Sequence, residues 1–406
     1  MKIVCFGSGL RAKEFLENDC KYGNIEIEYF LDNRETSSTR YGYECYLPSV
    51  ENCKDKFIVV TCGDKYYQAI KEQLCGYGLR ENVNFINVEK FVFDLKNSMN
   101  GDKPELVLWF EDFWQGFNPY KNYFMEIIQK YFRVKLDDKN PDYIICSMFG
   151  GKTLEYEGVR IVYTGENVVP DFNVYDYVIG FEHIQYDDRY LRWPLYKLYV
   201  TYKDAQIKHS LYEAKEWMER EFCCRVVSNG TSADSFREEL FDAMNSIKPV
   251  ASGGRYKNNL PGGKPVADKN EFLKKYRFNL AIENSLSYSG YTTEKIIDAW
   301  AAGCIPIYWG NKKIAEEFSE DAFVNCHKFD SIEDIVSHVI ELNEDPEKLQ
   351  KMLKVSIFKD ESKVDIENFF KNIFCQKKAD AYRRLERFSS WGKKIEKLYR
   401  AEGNVE

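Results

Sequence analysis

Short apolar runs alternating with amphipathic stretches constrain this 406-residue chain more than any other feature. Residues 2–6, 25–31, 57–62 and 84–88 read as strands, and residues 10–16 and 66–76 between them read as helices. Strands alternating with helices build a parallel sheet, so residues 1–100 predict a small Rossmann-like domain. The alternation resumes after Asp102-Lys103-Pro104, with strands at 105–110, 134–136, 143–147, 160–163 and 177–181 and a helix at 120–131. A third series starts at Cys223, with strands at 225–228, 278–282 and 305–309. Its helices fall at 235–245, 268–277, 293–302, 331–342 and 346–353. The expected division is 1–100, 101–220, 221–360 and a helical basic tail at 361–406, with the polar helical stretch 208–220 bridging two lobes. Ligands of such sheets bind beyond the carboxyl ends of the strands, in the crevice between lobes.

Two places in this framework carry nucleotide signals. The first is Gly7-x-Gly9-x-x-Ala12, followed about 20 residues later by Asp32, which fits the looser dinucleotide fingerprint. It supports a nucleotide-dependent oxidoreductase as one function class, beside a purely structural or assembly role for residues 1–100. The second is the block from Phe278 to Gly310. There a buried strand ends at Glu283-Asn284, a polar loop follows, and Thr292 or Thr293 can cap a helix whose first turn holds Glu294 and Lys295. A helix start offers N–H groups to phosphate, Lys295 adds a full charge, and a carboxylate such as Glu294 can accept from ribose hydroxyls. Taken singly, Glu294 reads as a cap and Lys295 as a solvated charge. Glu166, in the turn that begins at Gly165 after a strand, reads either as a surface carboxylate or as a base facing the cleft.

Composition removes several classes. The net charge of −8 leaves no basic domain for a nucleic acid. No run is long enough to span a bilayer, and residues 1–6 enter a strand without signal-peptide architecture, so a cytoplasmic location is expected. Twelve scattered cysteines with no Cys-x-x-Cys pair, and four histidines, argue for reduced thiols rather than structural zinc. There is no Asp-x-Asp to hold a divalent ion on a diphosphate, so no metal is expected to be required. In the tail, Tyr382, Leu385, Phe388, Trp391, Ile395 and Leu398 recur at helical spacing among Lys and Arg. A helix docked on the body is the first reading, and peripheral contact with an anionic inner membrane face the second.

The succession Glu283-Asn284, Tyr291-Thr292-Thr293-Glu294-Lys295 and Pro306-Ile307-Tyr308-Trp309-Gly310 resembles the donor-binding signature of the α-1,3/4-fucosyltransferases, carbohydrate-active glycosyltransferase family ten. Tyr163-Thr164-Gly165-Glu166-Asn167, Tyr175-Asp176-Tyr177-Val178-Ile179-Gly180-Phe181 and Arg189-Tyr190-Leu191-Arg192-Trp193-Pro194-Leu195-Tyr196 are similar to the acceptor domain of the bacterial members. The resemblance runs over about 105–360 and leaves out 1–100. It implies an α/β fold of GT-B type, with two Rossmann-like lobes, here preceded by the small extra domain. It implies Glu166 as general base, Arg237 and Lys295 on the donor diphosphate, Glu294 on the ribose, and Asn284 and Tyr291 in the donor loop. The implied reaction is inverting transfer of L-fucose from GDP-β-L-fucose to N-acetylglucosamine in a β-galactosyl disaccharide. The linkage would be α-1,3 ahead of α-1,4, giving a Lewis-type product with no cofactor beyond the donor. Loops 114–118 and 183–192 would set the linkage. The third class left open is a non-catalytic sugar-nucleotide-binding protein.

Overall fold

The computed structural model describes residues 1–34, 38–199, 201–206, 217–230, 234–284, 290–359 and 365–384. It divides into two units, residues 1–145 with 155–158, and residues 146–154 with 159 onward.

In the first unit, β1 (Lys2–Phe6), β2 (Glu26–Leu31), β3 (Ser38–Arg40), β4 (Tyr43–Tyr46), β5 (Ile58–Val60) and β6 (Phe85–Asn87) form a sheet ordered β3-β4-β2-β1-β5-β6. Among the described residues, only the β3–β4 pair of this sheet is antiparallel. Alternate residues of β1 feed opposite faces: Ile3 and Cys5 pack with Phe15, Phe30 and Phe91, while Val4 and Phe6 pack with Leu31, Leu74 and Phe85. Residues 1–100 thus hold a mostly parallel, Rossmann-like sheet, within a unit that runs on to residue 145. The helix Val88–Met99, absent from the sequence reading, starts where the Asn87 side chain accepts the Glu89 N–H at 2.8 Å. The same unit holds β7 (Glu105–Glu111) paired in parallel with β8 (Arg133–Leu136), and the helix Tyr123–Ile128 capped by Asn122. The boundary between the units falls inside β9 (Tyr143–Cys146).

In the second unit, β10 (Val159–Tyr163), β11 (Tyr177–Gly180) and β12 (Tyr190–Arg192) run parallel. A further sheet, ordered β14-β13-β15-β16-β17, is parallel throughout. It consists of β13 (Glu221–Arg225), β14 (Val250–Ser252), β15 (Tyr276–Ile282), β16 (Ile305–Trp309) and β17 (Val324–Asn325). The strand expected at 225–228 instead spans Glu221–Arg225, because Arg225 closes it inward, with its guanidinium buried against Glu238 and Ser252. The helix expected at 268–277 stops at Leu273 because Tyr276 already opens β15.

The expected continuous helix after Gln376 breaks up. A helix ends at Cys375, a short one covers Lys378–Ala381, and the backbone N–H groups of Arg383 and Arg384 donate to Asp176 at 2.6 and 2.9 Å. The Arg384 guanidinium adds a 2.6 Å pair to the same carboxylate, which is fully buried. The rest of the tail, residues 208–216 of the expected bridging stretch 208–220, and the serines of 285–289 lie outside the described residues. Among the described residues, no helix is long and apolar enough to cross a membrane.

Candidate active site

β15 is buried at every position and delivers Glu283 to the end of the sheet with no exposed surface. An isolated buried carboxylate is costly, and here three donors satisfy it. Thr293 gives its backbone N–H (2.7 Å) and its hydroxyl (2.7 Å), and Lys295 gives its ammonium (2.9 Å). Gly310 leaves the room: a Cβ there would lie 2.4 Å from Glu283 Cγ. The expected cap at Thr292 or Thr293 is therefore not a cap. Glu294 occupies that position without a side-chain cap bond, and the helix Lys295–Ala301 has only seven residues. The Thr293 hydroxyl is drawn to Glu283 instead. Burial works to lower the pKa of Lys295, but the carboxylates of Glu283 and Glu294 outweigh it and hold the pKa above the ordinary lysine value, so the side chain stays cationic.

Arg237 is almost fully buried on the helix Phe236–Ile247. Its guanidinium donates to Asn284 Oδ1 (3.4 Å), the Asn229 carbonyl (3.1 Å) and Glu238 Oε1 (3.1 Å). Arg237 and Lys295 are thus held by adjacent residues, Asn284 and Glu283. Glu238 also receives Arg225 (3.2 Å) and Lys257 (2.9 Å). Burial would raise its pKa, and these bonds carry it below the ordinary value. Arg225 lies 3.4 Å over the Phe241 ring. The sequence reading named Arg237 and Asn284 but missed Arg225, Glu238, Lys257 and the role of Glu283. A charged residue closing the apolar run Cys223-Cys224 was the available signal.

Glu166 follows β10 on an exposed turn. Its carbonyl accepts the Thr164 hydroxyl (3.0 Å) and the Val168 N–H (2.7 Å), so the backbone shapes the turn. Tyr291 is buried edge-on to Phe181 at 5.3 Å. Its hydroxyl is raised by burial and then by Glu283, Glu166 and Glu294. The Tyr199 hydroxyl is pushed up to about 12 by burial, with Glu294, Asp298 and Glu166 adding to it. Glu166 and Glu294 therefore act on the same two phenols. Glu294 is 3.9 Å from Lys269, which pairs more closely with Asp298 at 2.6 Å. All six predicted residues belong to the second unit; hydrogen bonds tie Arg237 to Asn284 and Lys295 to the adjacent Glu283, while Glu166, Glu294 and Tyr291 are related only through their charges at Tyr291. Among the described residues, no group of three or more His, Cys, Asp or Glu is placed to hold a metal ion.

The first nucleotide signal is built differently. Asp32 accepts the Ser8 N–H (2.9 Å), the Ser8 hydroxyl (2.8 Å) and the Arg34 N–H (3.0 Å). The Tyr41 hydroxyl donates to the carbonyls of Ser8 and Gly9 at 3.1 and 3.3 Å. The carboxylate that would meet a ribose is engaged by its own loop, and the α-helix that follows Gly9 covers only Leu10–Glu14 before its winding changes at Phe15–Asp19.

Residues 108–199 match the model of the α-(1,3)-fucosyltransferase FucT N-terminal domain, and residues 217–396 match that of glycosyltransferase family 10 (fucosyltransferase) C-term. The chain is 36% identical over 239 residues to α-(1,3)-fucosyltransferase FucT of Helicobacter pylori, covering 50% of this chain and 49% of the relative. It is 32% identical over 118 residues to the human 3-galactosyl-N-acetylglucosaminide 4-α-L-fucosyltransferase, covering 28% of this chain and 30% of that one. The chain thus spans about half the length of the first relative and less of the second. A crystal structure of an α1,3-fucosyltransferase with GDP superposes with a TM-score of 0.57 at 29% identity, over 68% of this chain and 91% of the other. A crystal structure with GDP-fucose gives 0.56 at 29% identity, over 66% and 90%. The fold is accordingly α/β of the GT-B type.

Proposed function

The chain belongs to glycosyltransferase family 10, the fucosyltransferases, and on that premise we propose that it transfers L-fucose from GDP-β-L-fucose to a hydroxyl of N-acetylglucosamine in a β-galactosyl disaccharide, with inversion and α-1,3 linkage. The observation that carries this reading is the anchoring of Arg237 and Lys295 on the adjacent pair Asn284 and Glu283. The donor is supported by the relative crystallised with GDP-fucose, and the acceptor by relatives named for galactosyl-N-acetylglucosaminides.

In this reaction the acceptor oxygen bonds to the anomeric carbon as the bond from that carbon to the β-phosphate oxygen breaks. The leaving GDP takes the electron pair, and the acceptor proton passes to Glu166. The transition state is oxocarbenium-like, and negative charge grows on the diphosphate. Arg237 and Lys295 meet that charge, each contributing about 3 kcal/mol to lowering the barrier. They do so as fixed cations, so the mechanism calls on no divalent ion. Glu294 accepts from the ribose, and Asn284 and Tyr291 line the donor. Glu166 as base contributes about 100- to 10,000-fold. Residues 101–220 would hold the acceptor and 221–360 the donor, with 1–100 a scaffold, in a cytoplasmic enzyme. An oxidoreductase is disfavoured because Asp32 is already engaged.

The test is incubation with GDP-fucose and N-acetyllactosamine, with the product linkage read by NMR. Glu166→Gln should keep its GDP affinity and lose transfer by about 100-fold or more. Undiminished transfer by that variant would remove Glu166 from the mechanism, and no GDP binding by the wild type would remove the reading altogether.

A further inference from the structure

The stretch 290–295 is fastened at two points. At its far end Glu283 holds Thr293 and Lys295. At its near end Arg192, the last residue of β12, reaches across a sequence separation of 98 residues and donates to the Gly290 carbonyl at 3.3 Å. The other arm of the same guanidinium pairs with Glu317, which also accepts the Tyr196 hydroxyl at 3.0 Å. The near end has no slack. Gly290 sits at φ +93°, and a Cβ there would lie 2.3 Å from the Phe181 carbonyl oxygen and 3.0 Å from the His183 ring. Asn311 completes the seat by accepting the Gly290 N–H (3.1 Å) and donating to the Thr292 hydroxyl (3.3 Å). The next residue, Tyr291, packs on Phe181.

We propose that Arg192 is a positioning residue that registers the donor stretch 290–295 against the acceptor segment 181–196, so that Tyr291 and the bound donor face Glu166. This rests on the function proposed above. A planar guanidinium can hold a carboxylate and a carbonyl at the same time, whereas an ammonium offers a single centre. The two fastenings also separate two properties. Lys295 keeps its own anchor in Glu283, so loss of Arg192 should leave diphosphate binding intact while the reacting groups lose register. Displacement by about 1 Å far from the chemistry can lower rate about 100-fold.

The experiment compares wild type, Arg192→Met, Arg192→Lys and Glu317→Gln. Each is assayed for GDP affinity by calorimetry, for kcat and KM with GDP-fucose and N-acetyllactosamine, and for its thermal transition. Arg192→Met should lower kcat about 100-fold with GDP affinity within about threefold of wild type. Arg192→Lys and Glu317→Gln should each fall between, about tenfold down in kcat. Unchanged kcat in Arg192→Met overturns the proposal. So does a parallel loss of GDP affinity and kcat, which marks a general structural role. Should Arg192→Met lack a cooperative transition, the other two variants decide by the same criteria. A wild type that binds no GDP would instead overturn the function proposed above, so the two failures are distinguishable.

Discussion

The loop after β1 and the loop after β15 start from one plan: a buried parallel strand, a turn, a helix and a carboxylate close by. They end in opposite chemical states. Asp32 stays charged and is satisfied locally, by two backbone N–H groups and the hydroxyl of Ser8. Glu283 is neutralised by Thr293 and by an ammonium that remains cationic and partly exposed. In the first case the carboxylate closes the loop, and in the second it aims a positive charge. A motif specifies the turn. Function depends on which donor and acceptor valences the turn leaves engaged.

Lys295→Met attacks this contrast hardest. It should lower kcat about 100-fold or more, equivalent to about 3 kcal/mol of barrier, and weaken GDP in calorimetry. If both stayed at wild-type values, the two loops would be equivalent and the contrast would be void. Glu283→Gln comes next, because an amide cannot accept from all three donors. It should cost about 1.5–3 kcal/mol of folding stability in urea titration and weaken GDP as Lys295 loses its anchor. A stability loss with GDP affinity preserved would reduce Glu283 to a packing role.

The smallest effect is expected at Asp32→Asn: about 1 kcal/mol of stability, with transfer unchanged. The Asp32 carboxyl stands below its ordinary value: burial would raise it, and the bonds from Ser8 and Arg34 outweigh that. A depressed carboxyl stabilises the fold above its unfolded pKa, and that contribution is lost as pH falls through the folded value. The stability gap between wild type and Asp32→Asn should therefore be constant near neutrality and close below about pH 4. A gap that persisted in acid would show that the charge of Asp32 is not what holds the loop.

Much of the scaffold was legible. The strand Ile305–Trp309 was read with its true limits, because an apolar run between Gly303-Cys304 and Gly310 has little choice. Glu166 and Lys295 were candidates through their motif. Three features were not legible. Thr293 has the composition of a cap, yet its hydroxyl turns to Glu283, ten residues back. Arg225 reads as a strand start, because Glu238, the partner that buries its charge, lies thirteen residues further on. The helix Val88–Met99 was hidden behind β6, whose last residue is also the helix cap.

The amino-acid order alone determined the alternation of strands and helices and the candidates for the reactive side chains, since periodicity and motif spacing are written within a few neighbouring residues. Only the tertiary structure decided which carboxylate serves which cation, and that Arg192 grips Gly290. Such partnerships depend on side-chain directions converging from segments far apart in the chain, and local sequence does not encode them.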